Sequence, residues 1–254
     1  MNFIKVDDAM KQIFDFFVSL TLIIILSPIL IVFIIIIWLS DFNSPFYVSS
    51  RVGKDNKPFK LIKLRSMIIN ADKTGIDSTS KSDNRITKVG KIIRKFKLDE
   101  LCQLFNVLLG EMSLVGPRPN VKREVDLYSD IEINLLNVKP GITDFSSIVF
   151  SDEGDILDGA ENPDLRYNQL IRPWKSRLGL IYIKNSSILL DIKIILLTAV
   201  SIFAREISLN QICKVLEQLN VENNIIEICS RKKKLYPFPP PGYTDIVHDR
   251  TINK

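Results

Sequence analysis

The sequence predicts a helix-rich α/β protein, anchored to a membrane at its N-terminus and carrying a small sheet, and three stretches point to that class. Phe16 to Leu39 runs without a single charge. Phe59-Lys60-Leu61-Ile62-Lys63-Leu64-Arg65 alternates apolar and basic residues in the manner of a strand. Leu98, Leu101, Leu104, Phe105 and Leu108 recur at three- and four-residue steps, which makes one apolar helix face. With 254 residues and 46% hydrophobic content, the chain can bury one sizeable core. The composition divides it into a membrane segment (1–44), a main domain (45–205) and a C-terminal extension (206–254).

Taken in order, the apolar run is long enough to span a bilayer. Pro28 stands at its middle, lacks an N–H and clashes with the carbonyl of Ile24, so a bend is expected there, with the Ser27 hydroxyl satisfying a freed backbone group. Lys5 and Lys11 lie before the run and Arg51, Lys54 and Lys57 after it, so charge flanks do not separate a spanning from a re-entrant helix. Phe46-Tyr47-Val48 reads as a short strand, with Gly53 in the turn after it. On the next strand the alternation predicts one buried and one cationic face, Lys63 and Arg65 sharing the latter.

Asn70 to Asn84 is polar, a surface loop placed to close over a ligand. Arg85 to Lys97 is basic with interleaved apolar residues and leads into Asp99-Glu100, which open the helix that Gly110 ends. Val121 to Val138 reads as one helix of mixed polarity. Ile188 to Phe203 is apolar but holds Asp191 and Lys193, which suits an interfacial or a core helix. Ser208 with Gln211 forms a capping box before Leu209, Ile212 and Leu216. Arg231-Lys232-Lys233-Lys234 is a candidate for anionic headgroups or a solvated run, and Pro237 to Gly242 either packs as a strap or hangs free.

The chemistry has to be carried by carboxylates. A lone histidine, His248, leaves histidine triads and histidine-ligated metals unsupported, and three scattered cysteines form no C-x-x-C pair. The net charge of +5 suits phosphates or anionic lipid, while dispersed basic residues argue against nucleic acid. At the start of a helix, with Arg94, Lys95 and Lys97 upstream, Asp99 and Glu100 are expected to be ionised and weakly basic, fit to attack phosphorus or bind a divalent cation. Gly116-Pro117-Arg118-Pro119 comes next as a stiff turn that presents one arginine fork to phosphate oxygens.

The run from Leu98 to Pro119, with Lys63-Leu64-Arg65-Ser66-Met67 before it and Lys139-Pro140-Gly141-Ile142-Thr143 after it, closely resembles the bacterial sugar transferases, small monotopic phosphoglycosyltransferases acting on polyprenyl phosphate. The resemblance covers about residues 10 to 200, and the long central motif is matched nearly throughout. It implies transfer of a sugar-1-phosphate from a UDP-sugar to undecaprenyl phosphate with release of UMP, the first membrane step of surface-glycan synthesis. It further implies a compact catalytic domain on the cytoplasmic face of the bacterial inner membrane, interfacial helices, and a re-entrant helix broken at Ser27-Pro28. By the same resemblance Asp99 is the nucleophile, Glu100 the Mg²⁺ ligand, and Arg94, Arg118, Lys63 and Arg65 the phosphate contacts. Lys11 to Asp15 resembles the basic-x-x-x-Asp signature that begins these proteins. Asp144-Phe145-Ser146-Ser147-Ile148 departs from the T-G-W-A-Q type of continuation, so the sugar is not inherited by likeness. Homodimerisation is left open. The rival reading is a catalytically silent protein that binds lipid or a partner through its basic face; it has no use for an Asp-Glu pair beside Gly-Pro-Arg-Pro.

Overall fold

The computed structural model describes residues 8–75 and 77–249; Lys5, one of the flanking cations, lies outside them. Helix α1 (Asp8–Asp41) is a single 34-residue element, long and apolar enough to cross a membrane. The Ser27 hydroxyl donates to the Ile24 carbonyl at 2.9 Å, the acceptor that Pro28 cannot serve. The expected repair is therefore in place, and the helix runs through the Ser-Pro pair without interruption. One side packs Phe14, Val18, Leu22 and Leu26 on the main core and Leu30, Phe33 and Ile37 on a smaller cluster with Leu64, Ile93 and Cys102. The other side, including Phe17, Ile24, Ile25, Val32 and Trp38, is exposed. Both ends are tied to the same globular body. Lys11 pairs with Asp191 and Asp15 accepts from the Leu114 N–H at 3.2 Å, while at the far end Asp41 accepts from both Arg65 Nη atoms at 2.5 and 2.6 Å.

Strands β1 (Phe46–Val52) and β2 (Pro58–Leu64) pair antiparallel, with Tyr47 opposite Lys63. Lys63 does not lie on a separate cationic face. It shares a face with buried Phe59 and Leu61, because the apolar phase shifts at Ile62 and Leu64 to the opposite side. A loop with a short 3₁₀ turn (Ala71–Thr74) leads to α2 (Lys88–Lys95), whose N-cap Thr87 accepts from the Gly90 N–H at 2.9 Å. The acidic pair sits in a 3₁₀ turn (Leu98–Cys102) rather than a regular α-turn, since Lys97 is left-handed (φ 54°), and α3 (Gln103–Leu108) begins only after it. Gly110 at φ +76° ends that helix as expected.

Strand β3 (Ser113–Val115) pairs in parallel with β4 (Gly141–Thr143). Between them the expected helix over 121–138 is split into α4 (Lys122–Val125) and a 3₁₀ turn (Glu132–Asn137). Ser129 and Glu132 cap each other, the Ser129 hydroxyl accepting from the Glu132 N–H at 3.0 Å and the Glu132 carboxylate from the Ser129 N–H at 3.2 Å, which starts a new turn there. Buried Glu132 also accepts from Arg172 at 2.6 Å and Ser176 at 2.6 Å, which holds it inward.

The remainder is helical: α5 (Phe145–Val149), α6 (Glu153–Leu157), α7 (Pro163–Leu170), α8 (Arg172–Asn185), α9 (Ile188–Ser201), α10 (Arg205–Gln218) and α11 (Asn223–Ser230). Helix α9 is both core and surface. Leu190, Asp191 and Ile194 are buried, whereas Leu189, Leu196 and Phe203, just past its end, are exposed. Ser208 does not cap α10, which starts earlier at Arg205. It is buried and donates to the Leu197 carbonyl at 2.9 Å, while Leu209, Ile212 and Leu216 form the expected buried stripe. Residues 206–230 thus share the core of the main domain through Leu216, Ile225 and Cys229.

Candidate active site

The chain folds back on itself where two glycines meet. A Cβ on Gly141 would stand 2.0 Å from the Gly116 nitrogen, and one on Gly116 would stand 2.6 Å from the Lys139 carbonyl, so only this pair lets the Gly-Pro-Arg-Pro turn cross the Lys-Pro-Gly turn. The crossing is pinned by Gly141 N–H to Pro117 O at 2.9 Å and Gly116 N–H to Thr143 O at 3.0 Å. Arg118 is thereby aimed back at the acidic turn. Its two Nη atoms bind both Glu100 oxygens at 3.0 and 2.6 Å, and one also donates to the Ile142 carbonyl. Asn106 fixes the other side, accepting from the Ile62 N–H at 3.1 Å and donating to the Lys60 carbonyl at 2.7 Å, which fastens α3 to β2.

These residues form the floor of a cleft of about 800 Å³. Lys63 Nζ stands 3.9 Å from Asp99 and 3.8 Å from Glu100. Burial raises the Glu100 carboxyl, but Arg118, Lys63 and Lys97 outweigh it and hold the group down at about 2. Asp99 goes the other way. Burial pushes it above the ordinary carboxylate range despite the pull of Lys63, and the Glu100 charge adds to the rise. The expectation that both carboxylates are weakly basic holds for Glu100 and is corrected for Asp99. Burial also lowers Lys63 and Lys97.

Of the residues singled out from sequence, Asp99, Glu100, Lys63, Arg94 and Arg118 all line the cleft. Arg65 does not. It leaves β2 toward Asp41 and secures α1, a structural role that its place beside Lys63 concealed. Ser27 and Pro28 lie far along α1. Sequence reading passed over Tyr167, Glu153 and Lys175 in the lining, took Arg51 only as a cation flanking the apolar run, and took Lys97 only as positive charge upstream of the acidic pair. Lys97 sits two residues before Asp99 and donates to the Ser147 carbonyl at 3.0 Å, so its position next to the motif was an available signal; Tyr167, Glu153 and Lys175 carried none. In the departing segment, buried Asp144 caps α5, accepting from the Ser147 N–H at 2.7 Å and the Ser146 hydroxyl at 2.8 Å.

The far wall is made of Phe150 to Asp155 and the loop at 77–81, which meet where the Lys81 N–H donates to the Gly154 carbonyl at 3.0 Å. Lys175 pairs with Glu153 there at 2.6 Å. The arrangement offers a basic, partly desolvated cleft with one carboxylate held firmly ionised and a neighbour of raised basicity, suited to a phosphate diester or anhydride. Mg²⁺ fits the donor set. It takes one or two carboxylates and fills its shell with phosphate oxygens and water, so the absence of a cluster of three acidic, histidine or cysteine ligands among the described residues does not oppose it; Glu100 would exchange one oxygen now on Arg118.

Residues 6–205 match the model of a family described as bacterial sugar transferase. A UDP-glucose:undecaprenyl-phosphate glucose-1-phosphate transferase of Klebsiella pneumoniae is 36% identical over 192 residues, covering 74% of this chain and 39% of that protein. A UDP-N-acetylgalactosamine-undecaprenyl-phosphate N-acetylgalactosaminephosphotransferase of Aeromonas hydrophila is 35% identical over 192 residues, 74% of this chain and 42% of its own length. The chain thus spans about two fifths of these two relatives. An uncharacterised sugar transferase, EpsL, of Bacillus subtilis (strain 168) is 34% identical over 197 residues, 78% of this chain and 89% of that one.

Proposed function

The chain belongs to the bacterial sugar transferase family, and from that premise we propose that it transfers a sugar-1-phosphate from a UDP-sugar to a polyprenyl phosphate, undecaprenyl phosphate by likeness to its relatives. The observation that carries this reading is the cleft floor, where Asp99 lines the cavity beside Glu100, Arg118 and Lys63. The Asp99 carboxylate attacks the phosphorus bearing the sugar, the P–O bond to UMP breaks with its electrons leaving on UMP, and an acyl phosphate forms. An oxygen of the polyprenyl phosphate then attacks the same phosphorus and frees Asp99. Arg118 and Lys63 hold phosphate oxygens as charge moves, with Arg94 and Lys97 on the approach. Bound at Glu100 and the diphosphate, Mg²⁺ would neutralise charge on the leaving group.

Asp99's raised basicity supports the nucleophilic role, because a carboxylate less stabilised as an anion gains more by bonding to phosphorus. The exposed apolar sides of α1 and α9 support attachment to lipid, with the catalytic cleft on the cytoplasmic face of the inner membrane. A re-entrant path for α1 is supported by the ties at both of its ends to one body, which a simple crossing of the bilayer would place on opposite sides. Single cysteines at Gln12 and Asn43 should then label from the same side; labelling from opposite sides rules the hairpin out. The activity itself is tested by incubating the purified protein with a panel of UDP-sugars, first alone and then with polyprenyl phosphate. Up to one UMP per chain should appear before acceptor is added, with the mass of a sugar phosphate on the peptide holding Asp99. No UMP from any donor would refute the assignment.

A further inference from the structure

The family match ends at residue 205, yet the chain continues, and its next elements, α10 and α11, join the core behind the far wall of the cleft, α10 packing on α9 and α5. Two arginines converge on one carboxylate of the far wall. Asp152 accepts from Arg205 at 2.7 Å on one oxygen and from Arg231 at 2.9 Å on the other. Arg205 also donates to the Val149 carbonyl at 2.8 Å, and the Arg231 guanidinium lies 5.6 Å from the centre of the Phe150 ring. Arg231 is left-handed (φ 56°) at the end of α11, so the chain turns there and leaves as an extended strap.

The strap holds the other end of the same wall. Phe238 stacks on fully buried Trp174 with centroids 4.6 Å apart, its N–H donates to the Gln169 carbonyl at 3.1 Å, and Arg177 donates to the Pro239 carbonyl at 2.9 Å. Trp174 precedes Lys175, the partner of Glu153. The segment Phe150 to Asp155 is therefore held at Asp152 by Arg231 and at Glu153 through the helix that the strap covers.

We propose that residues 206–241 set the far wall of the cleft, with Arg231 as a positioning residue acting through Asp152, and that this wall recognises the part of the donor beyond its diphosphate. The wall's chemistry, the half-buried Tyr167 ring and the Glu153 carboxylate that line the cleft, takes a hydroxyl-bearing ring, either the donor's sugar or its ribose. This inference rests on the donor reading above.

The test uses the full chain, its preferred UDP-sugar and polyprenyl phosphate, with UMP release as readout. Arg231→Ala should raise the donor KM about tenfold with kcat within about twofold and the acceptor KM unchanged. Arg231→Lys should restore most of the loss, and in an Asp152→Asn background Arg231→Ala should add little, as coupled residues do. UDP as a competitive inhibitor separates the two rings: a weakened UDP assigns the wall to the ribose, an unaltered one to the sugar, and either supports the wall. Should Arg231→Ala fail to fold, Asp152→Asn alone must raise the donor KM. An active wild type beside a folded Arg231→Ala with unchanged donor KM, a loss confined to kcat, or additive effects of the two changes would overturn this inference alone. A wild type that releases no UMP from any UDP-sugar would overturn it together with the donor reading.

Discussion

The floor of the cleft comes from one run of chain and the turn it crosses, Leu98 to Arg118 with Lys139 to Thr143, joined by Lys63 of β2, whereas its far wall is gathered from the loop at 77–81, Phe150 to Asp155 and the start of α8, and is held from behind by residues after 205. On the floor each charge is answered within a few residues in space: Arg118 grips Glu100 by both oxygens and two glycines allow the backbones to touch. On the wall, orientation depends on side chains that lie far apart in sequence and reach one another only after the helices have packed. The difference separates chemistry from recognition. On the proposed reading, a floor built this way would carry the phosphoryl transfer for any donor, and a wall held in part by residues beyond the family match would be where donors are told apart.

The largest expected effect breaks the floor at Asp99. Asp99→Asn removes the proposed nucleophile while keeping size, so UMP release without acceptor should fall by on the order of 10³-fold or more. Because burial raises the Asp99 carboxyl, its ionised form costs more in the folded protein than in the unfolded chain, and removing that charge should raise the melting temperature. A variant that loses activity together with stability would instead place Asp99 in the scaffold.

Metal removal comes next. Glu100 and the donor diphosphate are the groups that would share Mg²⁺, so EDTA should abolish UMP release and Mg²⁺ should restore it. Full activity in EDTA would leave Glu100 as the partner of Arg118 alone.

Legibility in the sequence divides along the same line. Asp99, Glu100, Lys63, Arg94 and Arg118 could be named because they sit in or beside short motifs whose residue types state their chemistry. Arg65 was misplaced, since alternation along β2 places it with Lys63 but cannot reveal Asp41 at the end of α1, and it continues past the strand's last residue. The helix expected over 121–138 failed because Ser129 and Glu132 form a capping box inside it, a local signal that the mixed polarity of the stretch hid. The Ser208 box failed in the opposite sense, a local signal overridden when α10 began directly after α9 and buried Ser208. Lys175, Glu153 and Tyr167 were invisible because their place depends on the packing of α6, α7 and α8, and the strap could be read either way until Trp174 and Phe238 met.

A smaller effect sharpens the contrast between the two carboxylates of the floor. Asp99 must be ionised to attack, so kcat/KM should fall as pH drops below its raised value, by about tenfold per pH unit. Glu100, held at about 2 by Arg118, Lys63 and Lys97, contributes no limb above about pH 4. An acid limb at the ordinary aspartate value, or none, would mean that the bound donor rather than burial governs Asp99.

The smallest effect tests whether the floor is independent of the strap. Phe238 is half-buried, stacked on Trp174 and covered by the Arg177 guanidinium at 4.8 Å, so Phe238→Ala forfeits part of an aromatic side chain's burial, about 1–3 kcal/mol of stability. Loosening Trp174 should let Lys175 and Glu153 drift, raising the donor KM less than the loss of Arg231 does, because the Arg231 to Asp152 contact stays intact. Among the described residues no hydrogen bond or ion pair joins Asp99, Glu100 or Arg118 to Phe238, Trp174, Lys175 or Glu153, so kcat and the acid limb should not move. A fall in kcat with Phe238→Ala would show that the wall and the floor are mechanically one, and that the chain's extension reaches the phosphoryl transfer itself.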